Sequence, residues 1–458
     1  MSTLVAPDAP ATGLGGQARA LLGLAIPLVL SNLAGFAIHM TDVLMMGWYD
    51  VTALAGMVLA GSLYFIVFIT GSGFAVAVMP LVAKAAQEGD ATEVRRVTRM
   101  GTWLTAAYAA VALPVLLSAG PLFQWMGQDP AVATLAGQYL SIAGWMIVPA
   151  LAIAVLRSFL AALERTGALL WVTVGIAVLN ALFAWAFIFG NWGAPELGIV
   201  GAAWAALFTN TVGALALLAY ALWTLPQYRL LQRVWKPDWS AMGRVFRLGW
   251  PISGQLLFEV GLFASSAVLV GWVGKVPLAA HGVALQLASL AFMFHLGLSQ
   301  AATVRAGQAL GRGDPQGLRH AGLAAIALSA GFALLTSAAF VLWPGQLIGL
   351  FVDPADPVRP EVIAVGSTLL LLAAVFQLFD GLQVLAIGLL RGLQDTAVPF
   401  VMAAVSYWMI GLPAAYALGF VAGGDEVGVW LGLVLSLVVA SVLLILRFWR
   451  LASRPLGP

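Results

Sequence analysis

Residues 20–47 read ALLGLAIPLVLSNLAGFAIHMTDVLMMG, an apolar run that holds His39 and Asp42 but no lysine or arginine. A helix needs about 20 apolar residues to cross the hydrocarbon core of a bilayer, so this run alone favours a membrane fold. Outward from it the same pattern recurs at 54–82, 99–120, 133–157, 168–190, 198–224, 247–272, 279–305, 320–345, 361–390, 398–421 and 428–447. The 458-residue chain is 62% hydrophobic and 9% charged, whereas soluble domains are about 45–50% apolar and about 25% charged. An all-α integral membrane protein of twelve transmembrane helices is expected. The long second, eighth and tenth runs are expected to tilt or break.

Composition also narrows the chemistry. A formal charge of +2 points away from nucleic acid as a partner. With no cysteine, disulfides and thiolate metal sites are excluded. Met1–Gly16 has neither the basic start nor the apolar core of a signal peptide and reads as a cytosolic tail. No Walker-type phosphate loop, HExxH or GxSxG stands in the chain, so ATP-driven transport and the familiar hydrolase reactions lack their residues. Placing the tail in the cytosol and alternating from there puts 19 of the 21 lysines and arginines on the cytosolic side, leaving Lys275 and Arg359 outside. That bias is what the positive-inside rule requires of an even number of spans with both termini cytosolic.

The run at 20–47 returns later in the chain. At an offset of 224, Pro27 meets Pro251, Gly47-Trp48 meets Gly271-Trp272, Phe68 meets Phe292, Gly73 meets Gly297 and Gly89-Asp90 meets Gly313-Asp314. Further on, Leu163 and Thr166 match Leu393 and Thr396 at an offset of 230. Six crossings separate the copies, so two six-helix halves in the same orientation are expected, the arrangement of transporters built on parallel repeats. The expected division is a tail at 1–19, lobes at 20–227 and 244–450, a basic linker at 228–243 and a tail at 451–458.

Three acids fall inside expected spans: Asp42, Glu259 and Asp380. A charge at a helix centre costs about 2.5–3.5 kcal/mol on insertion scales, so such residues mark an ion or substrate path; the plainer alternative is a carboxyl kept neutral by burial. His39, three residues before Asp42, is placed to tune that carboxyl, or to bond a neighbouring carbonyl. Gln255 and Phe258 share the helix of Glu259, and Phe376 and Gln377 that of Asp380. Acids among amides and aromatic rings suit an organic cation, although rings at helical spacing also serve packing. Trp48, Trp250, Trp272, Trp343 and Trp430 are expected in the interfacial belt, and Arg157 and Arg391 at cytosolic helix ends, snorkelling or capping.

Several stretches resemble the MATE (multidrug and toxic compound extrusion) family, and within it the NorM-type branch. They are Thr41-Asp42 with Gly47, Gly193-Ala-Pro-Glu-Leu-Gly198, Phe258-Glu259-Val260, His281-Gly-Val-Ala-Leu285, Leu390-Arg391-Gly392, Ser406-Tyr407-Trp408 and Gly411-Leu412-Pro413. The resemblance implies a V-shaped pair of six-helix, pseudo-symmetric lobes in the bacterial inner membrane, functional as a monomer in the lipid bilayer. It implies export of amphipathic or cationic drugs in exchange for sodium ions or protons, with no other cofactor. Glu259 and Asp380 match the family's acidic cation site, a possible sodium site; Asp42 matches the acid of the other lobe, and Asn180 a polar position beside it. Gln255, Phe258, Phe292, Phe376 and Gln377 are the candidate drug contacts. Two positions depart from the pattern. Phe376 stands where many relatives carry a tyrosine and Gly35 where many carry a glutamine, and the first removes a hydroxyl that would assist sodium. A lipid-linked sugar flippase would need a cationic cavity instead, and a non-transporting scaffold would not need three intramembrane acids.

Overall fold

The computed structural model describes residues 13–455; the first twelve residues of the expected N-terminal tail and the last three of the C-terminal one lie outside the described residues. Among the described residues, twelve helices are long and apolar enough to cross a membrane. They are α1 (Leu14–Tyr49), α2 (Val51–Gln87), α3 (Ala91–Leu117), α4 (Pro130–Ala162), α5 (Thr166–Phe189), α6 (Ile199–Thr224), α7 (Trp239–Val273), α8 (Lys275–Arg312), α9 (Pro315–Leu342), α10 (Arg359–Gly392), α11 (Ala397–Val421) and α12 (Asp425–Ala452). Eight of the twelve expected runs lie within one of them, while 99–120, 168–190, 198–224 and 320–345 overrun α3, α5, α6 and α9 by one to three residues; most helices outrun the apolar core at one or both ends. In α7 the extension covers residues 239–243 of the expected linker, because Asp238 caps the helix early by accepting the Ala241 amide at 3.0 Å.

Of the three runs expected to tilt or break, α2 is interrupted at Ala77, between Val51–Val76 and Val78–Gln87. Pro80 explains it, since proline cannot donate to the carbonyl four residues back and its ring crowds that turn. Helices α8 and α10 run unbroken for 38 and 34 residues. In α11, residues Val405–Gly411 and Ala417–Val421 widen to π-helix, a form found mostly as local bulges at functional positions. Here it spans the Ser406-Tyr407-Trp408 stretch.

The chain forms two compact units: Leu30–Ser253, and Met1–Val29 together with Gly254–Pro458. This division differs from the expected one at 228–243. The linker and the first half of α7 go with helices α2–α6, while the first half of α1 goes with α8–α12. Both cuts fall just after the paired prolines, Pro27 and Pro251, and they are themselves 224 residues apart. Paired glycines receive the two exchanged segments. A Cβ on Gly73 would come within 2.5 Å of the Ser253 backbone nitrogen, and one on Gly297 within 2.8 Å of that of Val29.

Inside the second unit, α8 lies against α10. Ser299 donates to the Val384 carbonyl at 2.6 Å and Thr303 to that of Gly388 at 2.9 Å. Gly388 and Gly392 let the backbones approach that closely, the small-residue contact by which helices associate in lipid. Asp380 is fixed on this rigid pair.

Candidate functional site

In the Leu30–Ser253 unit the site is built around Asp42 on α1. Its Oδ1 accepts the Asn180 amide of α5 at 2.6 Å, and Asn180 Oδ1 lies 3.1 Å from the Thr209 hydroxyl of α6. Asn180 and Thr209 are buried, 1% and 0% exposed. The expected neighbours Asp42 and Asn180 are thus brought together. Thr209 is an addition, as is Tyr139 of α4, which lies close enough to feel the Asp42 charge. His39 is exposed and is not a hydrogen-bond partner of Asp42 among the described residues. The i+3 spacing puts it near the acid's face of the helix but not on the carboxyl.

In the other unit, Glu259 of α7 is half-buried and Asp380 of α10 is buried. Each acts electrostatically on the Tyr407 phenol of α11, which lies beside Gln383. The opposite charge acting on Glu259 is the guanidinium of Arg391. Arg391 does not snorkel away or cap its helix: its Nη2 donates to Gln255 Oε1 at 3.3 Å, one turn below Glu259 on α7. Arg157, for which the same was expected, donates to Asn32 Oδ1 on α1 at 2.8 Å. Each unit therefore carries an arginine turned inward onto an amide of its α1 or α7 segment.

Several buried polar atoms without partners lie around the acid pair. Asp380 Oδ1, both amide atoms of Gln383, Gln255 Nε2, Arg391 Nε and Tyr407 Oη are buried with no hydrogen bond of normal geometry. Buried polar groups are ordinarily satisfied, and each exception costs about 1–3 kcal/mol. Gathered at one place, these atoms form a polar lining suited to water, a proton or a hard cation with oxygen ligands. Among the described residues no group of three or more His, Asp or Glu converges as a metal cluster would.

The candidate drug contacts divide. Gln255 belongs to the acid site. Phe258 stacks on Phe400 at 5.2 Å and leans on Trp408 at 6.1 Å. Phe376, only 2% exposed, is clasped edge-on by Phe263 and Trp430 at 6.0 and 5.6 Å. Gln377 turns to α9, donating to Ser337 Oγ at 3.0 Å. Phe292 is half-buried and makes no ring contact among the described residues. Trp430 corrects the expected belt. Trp48, Trp250, Trp272 and Trp343 are exposed, but Trp430 is 0% exposed and donates from Nε1 to His281 Nδ1 at 3.0 Å.

This architecture has known counterparts. The family model MatE matches residues 27–186 and 251–417, one block in each repeat. The chain belongs to the MATE family. Among curated MATE relatives, "Probable multidrug resistance protein NorM" of Rhizobium meliloti (strain 1021) is 48% identical over 95% of this chain and 94% of its own length. The protein of that name from Agrobacterium fabrum is 45% identical over 99% of each. The solved structure of the eukaryotic MATE transporter AtDTX14 superposes with a TM-score of 0.85 over 97% of this chain and 100% of its own, at 20% identity. That likeness shows that the MATE fold spans 97% of the chain.

Proposed function

We propose that this MATE protein is a secondary active multidrug exporter of the inner membrane, both termini cytosolic, which exchanges cationic or amphipathic drugs for sodium ions or protons by alternating access as a monomer. The observation that carries the reading is the pair Glu259 and Asp380, set in a buried polar lining whose atoms lack partners. Its curated relatives are named as multidrug resistance proteins, which supports transport rather than catalysis. Coupling requires that ion and drug differ in affinity for the two states of one equilibrium. Two carboxyls on α7 and α10 provide a group whose charge the ion neutralises, and Asp42 with Asn180 provides a second such group in the other unit.

The structure bears on the hydroxyl missing at position 376. Phe376 is packed among rings, whereas the Tyr407 phenol lies near both acids. Tyr407 takes the place of the absent tyrosine as the phenolic oxygen of the site. The test is ethidium accumulation by inverted vesicles under two separate drives, a sodium gradient at equal pH and a pH gradient without sodium. Accumulation under at least one is expected. Accumulation under neither, at normal protein level, overturns the reading.

A further inference from the structure

The segment between α6 and α7 carries a second feature, independent of the acid site. Residues 226–238 fold into short turns tied to the first half of α3, mainly through their backbone. Arg99 donates to the Arg233 carbonyl at 3.0 Å and Trp103 Nε1 to that of Val234 at 2.8 Å, while Arg95 holds Gln232 Oε1 at 3.0 Å. Asp238, the one acid in the segment, is paired with Arg96. With the backbone polar groups engaged there, the side chains left facing outward are of two kinds. Arg229, Arg233 and Lys236 are exposed and make no ion pair among the described residues. Leu231, Trp235 and Trp239 are 54%, 77% and 75% exposed. A cleft of about 410 Å³ opens at the start of this segment, lined by Leu222, Leu225, Pro226, Leu230, Leu231 and Gln232 with Arg229 as its charged member.

We infer that this segment is an anionic-phospholipid site, with the acyl chain in the leucine cleft and the phosphate on Arg229, Arg233 and Lys236. The cleft begins at Leu222, in the last turn of membrane-spanning α6, so it is continuous with the bilayer edge. Exposed tryptophan and leucine interleaved with unpaired basic groups match the amphipathic interface of a membrane surface. Each such base near an anionic surface contributes about 1 kcal/mol of attraction. A soluble acidic partner would use the charges but leave the apolar cleft and the tryptophans in water.

The full chain is purified and its bound lipid read by native mass spectrometry from an equimolar mixture of phosphatidylglycerol and phosphatidylcholine. The wild type is expected to retain phosphatidylglycerol several-fold over phosphatidylcholine, and the triple variant R229Q/R233Q/K236Q to fall to a ratio near one. Because the chain has no cysteine, Leu231→Cys gives a unique label site in an otherwise unaltered protein. A nitroxide there should become shielded from a water-soluble relaxant in vesicles containing phosphatidylglycerol, and not in phosphatidylcholine with added inorganic phosphate. Equal retention of the two lipids by the wild type, an unchanged ratio in the triple variant, or a label equally exposed in both vesicles overturns the site.

Discussion

At the scale of single residues, the account turns on how Arg391 and Tyr407 treat the acids. A fixed guanidinium held by Gln255 competes electrostatically with any cation that approaches Glu259. Arg391→Gln should therefore lower the half-saturating ion concentration about three- to tenfold, equivalent to roughly 0.7–1.4 kcal/mol. For a proton-coupled carrier the same change moves the pH profile of efflux upward. Initial rates of dye efflux against sodium at fixed pH, and against pH without sodium, check this; profiles identical to wild type would contradict it. Tyr407→Phe removes only an oxygen and should weaken dependence on sodium, with protein level unchanged. Residue patterns made the acids legible, because a carboxyl in an apolar run stands out. The role of Arg391 was not legible, since a base near a helix end looks the same whether it reaches to water or turns inward. Trp430 was misplaced for the same reason: position along a helix does not say which face is covered.

At the scale of elements, the two exchanged helix segments and the clamped linker carry the tests. Gly73 and Gly297 leave no room for a methyl group against Ser253 and Val29. Each substitution Gly73→Ala or Gly297→Ala should cost about 1–3 kcal/mol by overpacking, lowering the thermal unfolding temperature in detergent. Equal stability to wild type would mean that the helices separate freely there. The linker clamp has a pH signature. Hydrogen bonding from Arg96 holds the Asp238 carboxyl down at about 2, below its ordinary value of 3.8. A lowered value means the clamp's contribution is fully present above pH 3.8 and is lost as pH falls through 2. Mobility of a nitroxide at Leu231→Cys should stay constant from pH 7 to 4 and rise below that; Asp238→Asn should show the mobile state at pH 7. The helices themselves were legible, as length and apolarity fix a span. Their ends were not, because a cap such as Asp238 extends a helix beyond the hydrocarbon core without leaving an apolar trace. The π-helical turns of α11 had no signal in residue spacing.

At the scale of the whole molecule, the internal repeat is the feature most fully legible in the sequence. The pairs at offset 224 recur as paired glycine contacts, and the units divide at that same offset. What the repeat could not disclose is that the first halves of α1 and α7 change units, since pairing of residues says nothing about which copy a segment packs against. The account's central claim is that Glu259 and Asp380 act as one ion-responsive site in the proposed exporter. Amides keep their shape and remove the charge, and residues that act as a unit are non-additive. The direct measurement is ion-driven ethidium export by reconstituted Glu259→Gln, Asp380→Asn and the double variant at equal protein level. The account predicts that each single variant loses coupled export and that the double is scarcely worse than either; full coupled export by either single variant would contradict it.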